Sequence, residues 1–275
     1  MYSLIPHLRF RSLALIVALS LLGSHPLTAG VNPPGFPAFP SGQYHPAGLG
    51  PKVAKIVINY PNGATNRGIM TGSAVVSVSV DAGGKATDYL IIGCTDQVFG
   101  PALVDEAKTL AYQPAKLNGV AVPARYDLGY IFAPESMRVE VSAQDAVRLR
   151  SDKDREAKLT YSAVSEKDLD HPLEITNAAL PRLPEGFQSA DKKETKVFVT
   201  FYIDEQGHVR APNVESAASP ELIPRAIEAI RLWSFKPPLV KGAPALVYTG
   251  KAMRFMPRDT PNAPLPAAAG ERLAK

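Results

Sequence analysis

Two alternating stretches set 123 residues apart constrain this chain more than any other feature. Val75-Val-Ser-Val-Ser-Val-Asp81 and Phe198-Val-Thr-Phe-Tyr-Ile-Asp204 both end in Asp, and a Gly follows three residues later, Gly84 or Gly207. Held at the same offset, Pro61 meets Pro184, Gly63 meets Gly186, and Pro101 meets Pro224. Pro114 meets Pro237, Gly119 meets Gly242, Phe132 meets Phe255, and Pro134 meets Pro257, with no gap. Many of these identities are Pro or Gly, which punctuate backbone, so the shared object is a backbone plan repeated in one chain.

Each copy reads as β-β-α-β. An alternating strand, about 73–81 or 196–204, runs into a tight turn. There Asp81 or Asp204 accepts from the turn backbone, and Gly84 or Gly207 takes the positive φ. A second strand follows, about 85–93 or 208–216, and then a helix. In the second copy Ser219-Pro-Glu221 supplies an N-cap, Pro at N1 and a first-turn acid. Ile223, Ala226, Ile227, Ile230 and Trp233 make its apolar face, matched by Leu103, Val104, Ala107 and Leu110 in the first. Pro114 and Pro237 stop the helices. A Gly turn at Gly119 or Gly242 leads to a last strand, about 122–132 or 245–255.

Connection rules then give the topology. Strands one and two form a hairpin, and a right-handed helical crossover sets strand three beside strand one. The expected fold is α+β: two modules, each a three-stranded antiparallel sheet of order 2-1-3 with one covering helix. Strand three is an edge, open to a strand from a partner peptide or from a second copy of the chain.

The flanks differ from the repeats. Residues 1–29 hold Arg9 and Arg11 and no acid, then the apolar run Leu13–Gly23, then Thr28-Ala29-Gly30. This is the order of a secretory signal, and the run is shorter than the roughly 20 residues a spanning helix needs. A retained membrane anchor is the alternative. Removing the two arginines takes the formal charge from +4 to +2, which gives no electrostatic case for nucleic acid. Residues 30–52 form a Pro/Gly-rich leader, and 258–275 a loose tail. The first domain is expected over 53–134, a charged linker over 135–180, and the second domain over 181–257. Within the linker, Ser142 to Asp145 could open a helix, and the alternating charges of 148–156 read as a solvated face.

Chemistry-bearing patterns are sparse. Cys94 is the only cysteine, so no internal disulfide forms, and it reads as a small strand residue. The histidines are scattered, with none at ligand spacing, and no phosphate loop or nucleophile elbow appears. No cofactor, metal or catalytic residue is expected. Asp168, Asp170 and His171 form one acid–His group ahead of Pro172, read as a turn or cap. Trp233, with Tyr112 and Phe235, reads as core.

The second copy resembles the C-terminal domain of the TonB family. Ile203-Asp-Glu-Gln-Gly-His-Val209 is similar to the family hairpin. Ala226 through Trp233-Ser-Phe235-Lys-Pro237 is similar to its helix and Trp-x-Phe-x-Pro stop, and Gly242 to Phe255 to its closing strand. In the first copy Leu110, Tyr112 and Pro114 stand at the Trp, Phe and Pro places. The resemblance implies a periplasmic, non-catalytic module whose edge strand captures an extended peptide of an envelope protein. Here that edge maps onto Ala245, Leu246, Val247, Tyr248, Thr249, Lys251, Met253 and Phe255. An inner-membrane energy transducer is the alternative. Against it stand the short apolar run and a leader that spans at most about 70 Å fully extended. A homodimer through sheet edges is a further alternative.

Overall fold

The computed structural model describes residues 39, 42–50, 56, 58–133, 159–187, 196–217 and 219–255. The signal-like segment, the 142–145 helix start, the 148–156 charge run and the tail lie outside the described residues.

The first half contains β1 (Gly72–Val80), β2 (Ala86–Cys94), α1 (Phe99–Ala107) and β3 (Ala124–Phe132). Two short strands follow, β4 (Tyr161–Ser162) and β5 (Val164–Ser165). The second half contains β6 (Lys196–Ile203), β7 (Val209–Ser216), α2 (Leu222–Arg231) and β8 (Val247–Arg254). One sheet has the order β3-β1-β2-β4 and the other β5-β8-β6-β7. In both, the first strand of the hairpin is central and pairs antiparallel with the second and the third.

Each sheet therefore has four strands where three were expected. The extra strand in each is two residues long, and both come from 161–165, within the stretch read as linker. The pairing is also not antiparallel throughout, because β5 runs parallel to β8. The 30–52 stretch contributes pairings too: Tyr44–His45 with 116–117, and Gly48–Leu49 with 112–113.

Alternation decides which face is packed on a helix. On β1, Ala74, Val76, Val78 and Val80 are buried under Phe99, Leu103 and Ala107. The Phe99 ring lies 4.7 Å from that of Phe132. On β6, Val197, Val199, Phe201 and Ile203 meet Leu222, Ile223, Ala226, Ile227 and Ile230. Both helices differ at their ends from the sequence reading. The second begins at Leu222, because the Ser219 and Pro220 carbonyls take the Leu222 and Ile223 amides in a tighter turn. The helices end at Ala107 and Arg231, ahead of Pro114 and Pro237. Trp233 thus lies beyond the helix rather than on its face.

The opposite faces of the two sheets pack on each other, giving layers in the order helix, sheet, sheet, helix. Val75, Leu90 and Ile92 of the first sheet share a core with Tyr202, Ala211 and Leu246 of the second half. At the centre sits Arg125, its side chain 7% exposed. Its guanidinium lies 5.2 and 5.3 Å from the Tyr202 and Tyr248 ring centroids. It donates to the Ala211 carbonyl and the Tyr248 hydroxyl, and Asp127 Oδ1 is 3.6 Å away. Burial alone would lower this guanidinium's pKa. The surrounding Tyr202, Asp127, Tyr248 and Glu215 outweigh it and hold the charge firmly. A fork from Arg210 to Asp88 at 3.0 and 2.5 Å, and Tyr161 Oη to Glu205 at 2.8 Å, complete the interface.

Candidate interaction edge

The hairpin turn of the second half is built as its sequence requires. Asp204 Oδ1 accepts from the Gln206 and His208 amides at 3.1 and 2.8 Å. Gly207 has φ +88° and sits so close to the chain that an added Cβ would fall 2.0 Å from the Phe235 carbonyl oxygen. The Phe235 amide donates to the Gly207 carbonyl at 2.8 Å. The first half uses the same device. Asp81 accepts from the Gly83 and Lys85 amides, and Gly84, φ +82°, lies against the Tyr112 carbonyl. The turns at Asn118-Gly119 and Lys241-Gly242 have positive φ at both residues, which is the hairpin geometry that favours Gly at the second place.

These turns aim the third strands. β8 pairs with β6 from Ile203↔Val247 to Lys196↔Arg254. The Val164 amide donates to the Leu246 carbonyl at 2.9 Å. That bond sets the phase of the pleat: even-numbered residues of β8 turn their backbone groups away from β6. Tyr248, Gly250 and Ala252 therefore present outward amides and carbonyls.

Of the predicted edge residues, the side chains of Leu246, Val247, Thr249, Met253 and Phe255 are buried, and those of Ala245, Tyr248 and Lys251 are half-buried. Met253 and Phe255 lie in the core under α2, and Leu246 in the inter-sheet core. The Ala245 amide is bonded to the Pro238 carbonyl at 3.0 Å. Among the described residues, the outward backbone of this strand at Gly250 and Ala252 has no strand paired to it, which alternation alone did not single out.

Nor is the strand bare along its whole length. Val164 and Ser165 pair with Val247 and Tyr248. Glu166 Oε1 then accepts from the Thr249 hydroxyl and from Lys251 Nζ, the latter at 2.8 Å. Ser165 and Asp168 form a reciprocal cap on the short turn 166–168. Asp170 accepts from the Lys241 and Gly242 amides at 2.8 and 2.7 Å. Those two amides, Gly242 first, hold its carboxyl below the usual carboxylate range. The acid–His group thus serves as a cap and a turn clamp. Further along, the Ile175–Asn177 strand pairs with Ser234–Phe235, and Trp233 Nε1 donates to the Ala179 carbonyl at 2.7 Å. Sequence reasoning missed this attachment because a two-residue parallel pairing leaves no periodicity to read.

In the first half, no strand among the described residues pairs on the outer side of β3. The Arg125 amide there is taken by the Asn213 side chain at 3.0 Å. Cys94 is buried at the end of β2, and burial, with Asp96 adding, pushes its thiol pKa up, away from reactivity. Among the described residues no cluster could hold a metal ion, and no helix is long and apolar enough to cross a membrane.

No curated protein and no solved structure gives a significant match to the chain. The family described as the Gram-negative bacterial TonB protein C-terminal matches residues 188–255, the stretch that carries β6, β7, α2 and β8.

Proposed function

We propose that this is an exported envelope protein that binds extended segments of other envelope proteins by strand addition. It carries two TonB C-terminal-like modules and performs no catalysis. The observation that carries the reading is the family match over 188–255 together with the outward backbone of Gly250 and Ala252 on its third strand. Main-chain pairing at a sheet edge supplies affinity that depends little on sequence, and neighbouring side chains tune specificity. The internal offset of 123 residues supports reading the first half as a second module of the same plan. The N-terminal segment supports export to the periplasm, with cleavage near Ala29.

Ala252→Pro tests this directly. Its amide faces away from β6, so proline removes a donor from the edge and leaves the internal ladder intact. The expected result is loss of crosslinking to envelope proteins from a photoreactive side chain at Arg254, with urea stability changed by less than about 1.5 kcal/mol. Undiminished crosslinking in A252P would sink strand addition at this edge.

A further inference from the structure

We propose that residues 164–169 form a strap that competes, within the same chain, for the edge of β8. The proposal rests on the strand-addition reading and specifies how that edge is regulated. The strap is anchored at both ends. Before it, Tyr161 and Ser162 pair with Cys94 and Gly93 of the first sheet, and the Ala163 amide donates to the Ile92 carbonyl at 3.0 Å. After it, Asp170 clamps the 241–242 turn, and its own amide donates to the Leu239 carbonyl at 2.9 Å.

Between the anchors the hold on β8 is slight. Only Val164 and Ser165 pair with it, and the Ser165–Asp168 cap then turns the chain away. Glu166 adds a hydrogen bond from the Thr249 hydroxyl and one ion pair, with Lys251, whose side chains are 39% and 34% exposed. Ion pairs so placed contribute little. The strap holds its place chiefly because tethering at both ends gives it a high effective concentration. An incoming strand pairing along the whole of Val247–Arg254 makes a longer ladder than two residues can. It can start on Gly250 and Ala252 and then displace Val164 to Glu166. The anchors keep the displaced strap near for re-closure. Binding would thus be two-step, and an occupant that stops at Gly250 would leave the strap in place.

Amide hydrogen exchange on the full-length protein tests this without any partner. In the wild type, the amide of Tyr248 should exchange at least about tenfold more slowly than those of Gly250 and Ala252, since the strap covers it alone. In Val164→Pro/Glu166→Gln that protection should fall about tenfold, while the amides of Val197, Val199 and Phe201 stay unchanged. Glu166→Gln alone should give a smaller loss in the same amide. A synthetic peptide of residues 160–168, added to the double variant at millimolar concentration, should restore protection of Tyr248. The proposal is overturned if Tyr248 protection is the same in all three proteins. It is also overturned if β6 loses protection together with Tyr248, which would make the strap part of the sheet's stability. Failure of the peptide to protect the opened edge overturns it as well. None of these outcomes depends on the crosslinking result with A252P, so failure of the strap and failure of edge binding can be told apart.

Discussion

Replacing Gly207 with alanine should destabilise the protein by about 2–5 kcal/mol, and the structure shows where that comes from. An alanine at φ +88° carries a backbone penalty of about 1–2 kcal/mol. Its Cβ would stand 2.0 Å from the Phe235 carbonyl oxygen, a backbone atom that cannot rotate aside. Relief requires the turn and the 234–235 strand to separate, which breaks the Phe235 amide to Gly207 carbonyl bond of 2.8 Å. One such bond contributes about 1 kcal/mol. Phe235 is buried against Phe201, and shifting it adds about 1–2 kcal/mol of packing loss. The smaller entropy of the unfolded alanine chain returns about 0.4–1 kcal/mol. Gly242→Ala is the internal control. Its φ is +77°, yet nothing lies within 4 Å of an added Cβ, so only the backbone penalty applies, net about 1 kcal/mol. Urea unfolding monitored by Trp233 fluorescence measures both. Equal losses in the two variants would refute the close-approach argument.

Other substitutions probe the interface and the strap. Arg125→Met keeps the apolar stem but removes the cation between Tyr202 and Tyr248; urea unfolding should show a loss of about 2 kcal/mol, and Arg125→Ala about 3–4. Ser79 is buried, and its Oγ has no hydrogen-bond partner among the described residues; Ser79→Ala should therefore be neutral or stabilising by up to about 1 kcal/mol in the same assay. Asp170 has its carboxyl depressed by the Gly242 and Lys241 amides. Its contribution is therefore present above the ordinary carboxylate value, near 3.9, and is lost as pH falls through its own lower value. Amide protection at Lys241 and Gly242 should hold steady from about pH 5 to 8 and fall only below about pH 4.

The elements legible in the sequence were those with a local signature. The Asp81 and Asp204 turns, the paired glycines and the alternating strands all declared themselves within ten residues. The inter-sheet face did not. Ser77 and Ser79 alternate with Val76, Val78 and Val80, a pattern that reads as one face in water. Both serines are buried because a second sheet covers them. Arg125 reads as a surface cation for the same reason: its rings, Tyr202 and Tyr248, lie at least 77 residues away in sequence. Val164 to Glu166 sit in a polar stretch whose attachment to β8 is wholly non-local.

The third strands of the two sheets meet through a pair of side chains. Arg125 and Tyr248 stand 123 residues apart, at equivalent places in the two third strands, and they touch. Contact between equivalent residues is what a twofold arrangement produces on its axis. The symmetry stops there, for the first half contributes a cation and the second the ring that receives it. The strap deepens the difference, since it adds to β2 on one sheet and to β8 on the other. β8 is consequently held by β6 along its inner side, by Arg125 through Tyr248 on its face, and by Val164 to Glu166 at the start of its outer side. Among the described residues, the outer side of β8 around Gly250 and Ala252 has no strand paired to it. Residues 164–166, which contact the outer side of β8, thus lie outside the matched stretch 188–255.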